Sequence, residues 1–138
     1  MSLLIKTLAI TGGHDELLNA ARLELAHLRG AADDDIGAVM EYMRAGDAAA
    51  MLAAIEAPMR AARSAVAGLE LCAKASGVVK PPLAPDLGAA QALLAGALQA
   101  ILICIEANLS GREDEHREAV AERHAIEARA RQSGVYSR

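Results

Sequence analysis

The longest uncharged stretch of the chain lies between Asp86 and Glu106, and its pattern predicts a helix at the centre of the fold. Large aliphatic residues point in most directions around its axis, and a helix that is apolar all round is usually buried. One edge carries almost no side chain, because small residues recur at every fourth position: Gly88, Ala92, Gly96 and Ala100. Another backbone could therefore approach this edge closely. We predict a buried central helix over residues 86–109.

The first segment, residues 2–10, is short and apolar and ends at a pair of glycines. From residue 14 the apolar residues have helical spacing and predict a helix over residues 14–44. Its first turn carries Asp15 and Glu16, where the helix dipole favours acidic groups. Glycines allow a break in this helix near residues 30–34.

A third helix is predicted over residues 48–76, with Asp47 as its N-cap. Because Pro58 lacks a backbone N–H, this helix should be bent or divided into two shorter helices. The proline-rich residues 78–85 predict a loop, after which Asp86 is placed to cap the central helix.

The last helix is predicted over residues 112–132, where Ser110 and Glu113 have the spacing of a capping box. Its many charges predict an outer position. The chain thus reads as one domain over residues 1–138: an all-α, multihelical bundle of about five helices that are long and partly kinked. Long apolar helices in so short a chain expose more hydrophobic surface than a monomer can hide, so association is expected.

Composition supports the all-helical prediction. The chain is 54% hydrophobic without any Phe or Trp, so its apolar mass consists of Ala, Leu, Ile, Val and Met. Ala and Leu are strong helix formers. The formal net charge of −4 gives no electrostatic footprint for nucleic acid, and aromatic side chains that could stack on bases are scarce. A nucleic-acid partner is not expected.

Two further features bear on location. Cys72 and Cys104 stand apart in apolar helical stretches, without the CxxC pairing of metal or redox sites, and we predict reduced thiols in the core. The apolar N-terminal run is broken by Lys6 and lacks the features of a signal peptide, so a cytoplasmic protein is expected. The central run is about as long as the shortest membrane spans, but its glutamines and acidic flanks favour a buried helix and no membrane partner.

Few polar groups suggest chemistry. Glu113 and His116 form one ExxH pair, whereas a diiron bundle needs two pairs and two further glutamates, so no metal or other cofactor is expected. The run Asp33-Asp34-Asp35 is explained by a solvated turn or a helix cap, Asp86 by an N-cap and Asn108 by helix termination. From the residues alone, structural and functional roles both stay open.

Taken together, the polar residues and the helices around them resemble the formiminotetrahydrofolate cyclodeaminase and methenyltetrahydrofolate cyclohydrolase family. Asp35-Ile36-Gly37-Ala38-Val39 and Met43 match its DxxAFxxxM segment, with valine in place of phenylalanine. The alanine-rich approach to Pro58 is similar to its bent helix. Pro85-Asp86-Leu87-Gly88 through Asn108-Leu109 matches its aspartate turn, small-residue helix and final Asn-Leu pair. The resemblance covers about residues 30–130.

The resemblance implies a multihelical fold that forms an intertwined homodimer with folate sites between subunits. Asp35 and Asp86 would be the catalytic carboxylates, which move protons as the formimino or methenyl carbon on folate loses ammonia or gains water. Asn108 would bind and orient the substrate, a tetrahydrofolate derivative.

The chain also departs from the family pattern. Cys104 and Glu106 stand where the family has asparagine and arginine, and Lys80-Pro81-Pro82 replaces a glycine-asparagine approach to the aspartate turn. Several polar groups that would hold the substrate are therefore missing, and whether the protein is an enzyme is left open. The alternative is a noncatalytic helical dimer of the same fold that binds another small molecule or a protein partner.

Overall fold

The computed structural model describes residues 1–134, which contain five α-helices, one short 3₁₀-helix and no strand. The predicted all-α bundle is confirmed. The elements follow in the order α1 Ser2–Thr11, α2 Asp15–Ala45, α3 Ala48–Ala75, 3₁₀ Pro81–Leu83, α4 Ala84–Leu109 and α5 Arg117–Gln132.

Helix α3 lies at the centre of the bundle, because α2, α4 and α5 all pack against it. Its sequence, rich in alanine with aliphatic residues between, buries side chains on most of its circumference. The close approach of α4 depends on Gly68, where an added Cβ would meet Leu94 Cδ1 at 3.2 Å and the end of Met1 at 2.5 Å. The central position predicted for α4 therefore belongs to α3.

Helix α4 is buried on one face only. The buried side chains form one stripe along the helix: Leu87, Ala90, Leu94, Leu98, Leu102, Ile105 and Leu109. Leu93 and Ile103, on the other side, are 68% and 51% exposed. The prediction of a helix buried all round is therefore wrong for a single chain, which leaves the outer face uncovered.

Several predicted helix ends are confirmed and others are wrong. Asp47 caps α3 by accepting a hydrogen bond from the Ala50 N–H at 2.8 Å, and α2 continues through residues 30–34 without a break. Asp86 is not an N-cap, because α4 begins at Ala84 and places Asp86 in its first turn. The Ser110 capping box is absent, because α5 begins only at Arg117.

Pro58 leaves α3 as one continuous helix, so of the two predicted alternatives, a bent helix or two shorter ones, the second is wrong. A helical residue normally donates its N–H to the carbonyl four residues earlier, which here belongs to Ala54, and Pro58 cannot do so. Asn108 at the end of α4 donates its Nδ2–H to the Ala54 carbonyl at 3.0 Å. The side chain of Asn108 thus satisfies the acceptor that the proline leaves open.

The two cysteines differ in environment. Cys72 is fully buried, as predicted, and burial raises the pKa of its thiol to about 11. Cys104 is exposed on the outer side of α4, so its predicted place in the core is wrong. The pattern could not separate the two, because both lie in apolar helical segments and only packing decides which face is covered.

Candidate functional site

The three predicted site residues do not meet in one chain. Asp86 and Asn108 lie on the same helix, 22 residues apart, which is about 33 Å at about 1.5 Å per residue. Helix α4 runs antiparallel to α3, since Asn108 contacts Ala54 near the start of α3 while Leu94 contacts Gly68 further along. Asp86 therefore lies at the far end of α3 from Asn108.

Along the axis of α3, Asp35 is closer to the level of Asn108 than to that of Asp86. It is half-buried in the middle of α2, so the predicted turn at the aspartate run is wrong. Its neighbour Asp34 pairs with Arg60 of α3 at 2.9 Å, and Arg60 is only about 9 Å along α3 from the Ala54 carbonyl that Asn108 contacts. Asp35 therefore lies beside the middle of α3, between the level of Asn108 and that of Asp86.

A groove with a volume of about 670 Å³ lies between α2, α3 and α5. This is within the range of about 300–1,000 Å³ that is usual for small-molecule sites. Its lining includes acidic and basic side chains and comes from all three helices: Glu24, His27, Asp34, Arg60, Arg63, Glu122 and Arg129. The groove thus offers both guanidinium donors and carboxylate acceptors.

Ion pairs fix the side chains of this groove. Arg63 donates to Glu122 of α5 at 2.5 and 2.9 Å and to Glu56 at 2.7 Å. These bonds raise the pKa of Arg63 and, from the other side, the Arg63 guanidinium lowers the pKa of Glu122. Arg129 makes a bidentate pair with Glu70, both distances being 2.9 Å. Both arginines are held charged and in place by carboxylates on neighbouring helices.

A second groove of about 620 Å³ lies beside the first, between α3 and the segment that leads into α5. Arg63 and Glu122 line both grooves, so this ion pair is the partition between them. The second groove combines the apolar side chains of Ile55 and Met59 with polar residues 114–118. Opening the Arg63–Glu122 pair would join the two spaces.

Helix α5 also carries a buried arginine. Arg123 is 6% exposed and pairs with Glu127 at 2.7 Å and with Glu106 of α4. Within residues 1–134, its Nε is the buried side-chain atom that has no hydrogen-bond partner. Together with Ile126, this cluster anchors a helix that has few apolar residues of its own.

The ExxH pair forms no metal site. Glu113 lies outside α5; hydrogen bonds from its own backbone N–H and from the Gly111 N–H, the latter at 3.1 Å, lower the pKa of its carboxyl group. Across the described part of the chain, no three His, Cys, Asp or Glu side chains are close enough together to hold a metal ion.

With the geometry described, the comparison with known families becomes informative. The family model for formiminotransferase-cyclodeaminase matches residues 14–127, which covers α2, α3 and α4 and most of α5. The chain belongs to the formiminotransferase-cyclodeaminase family. No curated protein and no solved structure matches it.

The groove of this formiminotransferase-cyclodeaminase family member was missed by the sequence analysis. Arg60 and Arg63 are one helical turn apart and could have been noticed as a basic pair on one face. Their partners could not be identified, because Arg63 and Glu122 are separated by 59 residues, as are Glu70 and Arg129. Such contacts depend on how α5 folds back over α3.

Proposed function

We propose that this protein is a cyclodeaminase-like helical protein that binds, and acts on, a folate-linked one-carbon unit, formimino- or methenyltetrahydrofolate. The single observation that carries the proposal is the family match over residues 14–127. Cyclisation of a formimino group on folate releases ammonia, and hydrolysis of the methenyl group consumes water. Both reactions need proton transfer to or from the nitrogen and oxygen atoms bound to one carbon, which carboxylates can provide. With two free cysteines, the proposed compartment is the reducing cytoplasm.

The groove between α2, α3 and α5 supports a ligand of this class. A folate combines a fused ring that carries N–H donors with a tail that carries carboxylates. Arg60 and Arg129 would bind carboxylates, while Glu24 and Asp34 would accept hydrogen bonds from ring N–H groups. A volume of about 670 Å³ is sufficient for much of such a molecule.

The proposed catalytic residues remain Asp35 and Asp86, with Asn108 as the orienting group; none of the three lines the groove, which takes Asp34 from the aspartate run instead. The Nδ2 of Asn108 already donates to the Ala54 carbonyl, so its Oδ1 is the atom that would face a ligand. Because Asp86 lies about 33 Å from Asn108 on α4, the three residues could serve one substrate only between two copies of the chain. The proposed functional unit is therefore a homodimer.

The alternative is a noncatalytic helical dimer that binds another small molecule or a protein partner. The observation that favours it is the ion pairing in the groove: Arg60, Arg63 and Arg129 each already have a carboxylate partner. A folate tail would have to compete with Asp34 and Glu70 for these arginines. Fold membership alone does not supply that affinity.

The experiment that tests the proposal is a titration of the purified protein with formimino- and methenyltetrahydrofolate. Ammonia release and the methenyl absorbance report turnover. We expect Asp86→Asn to reduce turnover by at least about 100-fold, the usual contribution of a positioned proton-transfer group. The matched control is Asp33→Asn, an exposed aspartate in the run beside Asp35.

Circular dichroism of both variants must show unchanged helical content for the comparison to count. If Asp33→Asn and Asp86→Asn lose turnover equally, the assigned role of Asp86 is wrong. If wild-type protein neither binds nor converts either folate, the noncatalytic alternative replaces the enzyme.

A further inference from the structure

The groove between α2, α3 and α5 is not lined by Asp35, Asp86 or Asn108. What it binds is therefore decided by its own side chains and not by the proposed reaction. Its volume of about 670 Å³ admits a folate, but it also admits a smaller polar molecule. Several of its charged side chains are held by ion pairs to each other, so the hydrogen-bonding groups that remain available define the ligand.

Ser64 places a buried hydroxyl in the wall of this groove. The residue is 4% exposed and lines the groove from α3. A serine or threonine inside a helix commonly bonds to the carbonyl four residues earlier, as Thr7 and Thr11 do in α1. Ser64 makes no such bond, and within residues 1–134 its hydroxyl has no hydrogen-bond partner. Because a buried hydroxyl is costly to leave unpaired, this group is suited to bind a ligand oxygen.

Arg60, one helical turn before Ser64, provides a positive charge beside this hydroxyl. Arg60 contacts Asp34 through one nitrogen at 2.9 Å, and both side chains are about half exposed. Most of its N–H groups are therefore available to a ligand. Arg63, by contrast, is held by two glutamates, one on each side. Arg60 and Ser64 together offer the charge-assisted donors that bind a carboxylate.

The other end of the groove carries an acceptor, Glu24. It lies ten residues before Asp34 on α2, which is about 15 Å along the helix. Its side chain is only 19% exposed, and its contact is with His27 at 3.4 Å rather than with an arginine. Arg129, which lines the groove from α5, is instead bound through Nε and Nη2 to Glu70. The Glu24 carboxylate is therefore suited to a planar cation that offers several N–H groups.

We propose that the groove binds a guanidino acid lengthwise, with the carboxylate at Arg60 and Ser64 and the guanidinium at Glu24. Because Asp34 pairs with Arg60, Glu24 and Arg60 are also about 15 Å apart along the bundle. An ion pair at each end takes up about 4 Å, which leaves about 7 Å between the two charged groups of the ligand. Three bonds of an extended chain span about 3.5 Å, so about six bonds should separate these groups, as they do in arginine.

The charge of the groove favours a ligand with one positive and one negative group. With histidine neutral, the lining has three arginines and three carboxylates, so its formal charge is zero. A ligand that carries one charge of each sign preserves this balance, whereas a dianion adds charge that nothing in the lining compensates. Nα-acetylarginine meets this condition, because acetylation removes the charge of the α-amino group, and it is therefore the probe.

Isothermal titration calorimetry with three ligands tests the two ends of the site. Nα-acetylcitrulline has the shape of the probe but a neutral urea group, and Nα-acetylargininamide lacks the carboxylate. We expect the full-length protein to bind Nα-acetylarginine at least about tenfold more tightly than either of the other two, the usual effect of losing one charge-assisted hydrogen bond. Equal affinity for all three ligands, or no binding of Nα-acetylarginine, would overturn the proposal.

Variants at each end assign the contacts. Glu24→Gln should weaken Nα-acetylarginine at least about tenfold but leave Nα-acetylcitrulline unchanged, whereas Arg60→Gln should weaken Nα-acetylarginine but leave Nα-acetylargininamide unchanged. Ser64→Ala should behave as Arg60→Gln does, with a smaller loss of about threefold. The matched controls are Glu16→Gln and Arg29→Gln, which are exposed on α2 outside the groove and should keep wild-type affinity. A loss that is the same for the charged and the neutral ligand would contradict these assignments.

Filling the groove tests its position without removing a charge. Gly30 lines the groove, and a Cβ added there would meet no atom within 4 Å, so Gly30→Leu should fold and abolish binding of Nα-acetylarginine. Gly88→Leu, at an equally open position on α4, should bind as the wild type does. Unchanged binding by Gly30→Leu would place the ligand elsewhere and overturn the proposal.

This proposal goes beyond the proposed function, and the two can fail separately. None of these measurements uses a folate or changes Asp35, Asp86 or Asn108. Binding of Nα-acetylarginine by a protein without turnover would refute the proposed enzyme and leave the guanidino-acid site in place. Turnover by a protein that does not bind Nα-acetylarginine would refute the guanidino-acid site alone.

Discussion

At the scale of single residues, Asn108 and Pro58 are coupled through the backbone carbonyl of Ala54. The proline removes the N–H that would satisfy the Ala54 carbonyl, and the Asn108 amide provides a replacement from the next helix. An unsatisfied carbonyl inside a packed helix pair costs free energy, so both residues become fixed in the fold. The family motif that ends in Asn-Leu is therefore explained here in part by packing and not only by ligand binding.

This coupling predicts the outcome of a double-mutant cycle. Asn108→Ala should lower the free energy of unfolding by about 1–2 kcal/mol, because the Ala54 carbonyl loses its donor. In a Pro58→Ala background the restored N–H satisfies that carbonyl, so the same change should cost about 1 kcal/mol less. Urea unfolding at fixed protein concentration measures each variant. Asn19→Ala, at an exposed position on α2, is the control, and equal costs in both backgrounds would disprove the coupling.

At the scale of elements, the sequence was sufficient where one segment decides its own structure. The Asp47 cap and the extents of α2 and α3 follow from local pattern. The start of α5 could not be predicted from local pattern. Ser110 and Glu113 have capping-box spacing, but the chain forms turns until residue 116. The sequence also could not predict which side of α4 is exposed. The residues of an apolar helix do not show which of its faces the neighbouring helices leave uncovered.

The packing of helix α5 against the bundle depends more on ion pairs than the packing of the other helices does. It buries few apolar side chains and is joined to α3 by two bidentate arginine–glutamate pairs, Arg63–Glu122 and Glu70–Arg129. Exposed pairs are individually weak and are screened by salt. The contacts between α5 and α3 are therefore expected to be the first part of the bundle to loosen in acid.

The pKa of Glu122 gives the direction of this acid effect. Its hydrogen bond from Arg63 lowers the pKa below the ordinary 4.5, so the contribution of the pair is complete above pH 4.5 and is lost as pH falls through the lowered pKa. We expect amide exchange in α5 to accelerate before that in α3 as the solution is acidified. Glu122→Gln should produce part of this acceleration at neutral pH, about threefold for an exposed pair. Glu118→Gln, an exposed change on the same helix, should not, and equal effects would argue against the pair.

At the scale of the whole molecule, the distribution of residues along α4 links assembly to chemistry. A single chain separates Asp86 from Asn108 by the length of the helix, and the same helix offers an uncharged face centred between them. The proposed homodimer would contain two equivalent sites, each with Asp35 and Asn108 from one copy and the partner's Asp86. Neither copy would be active alone, which makes the arrangement testable by complementation.

Mixed dimers of two inactive variants should recover activity. In a dimer of Asp35→Asn with Asp86→Asn, one site combines both substituted residues, while the other combines an intact Asp35 with an intact Asp86. Random pairing of equal amounts makes half of the dimers mixed, and each mixed dimer has one of two sites intact, so the mixture should reach about 25% of wild-type ammonia release. Each variant alone should remain at least about 100-fold below wild type. A mixture no more active than its components would mean that both aspartates act within one chain or that neither is catalytic. In either case a site that takes Asp35 from one copy and Asp86 from the other would be excluded.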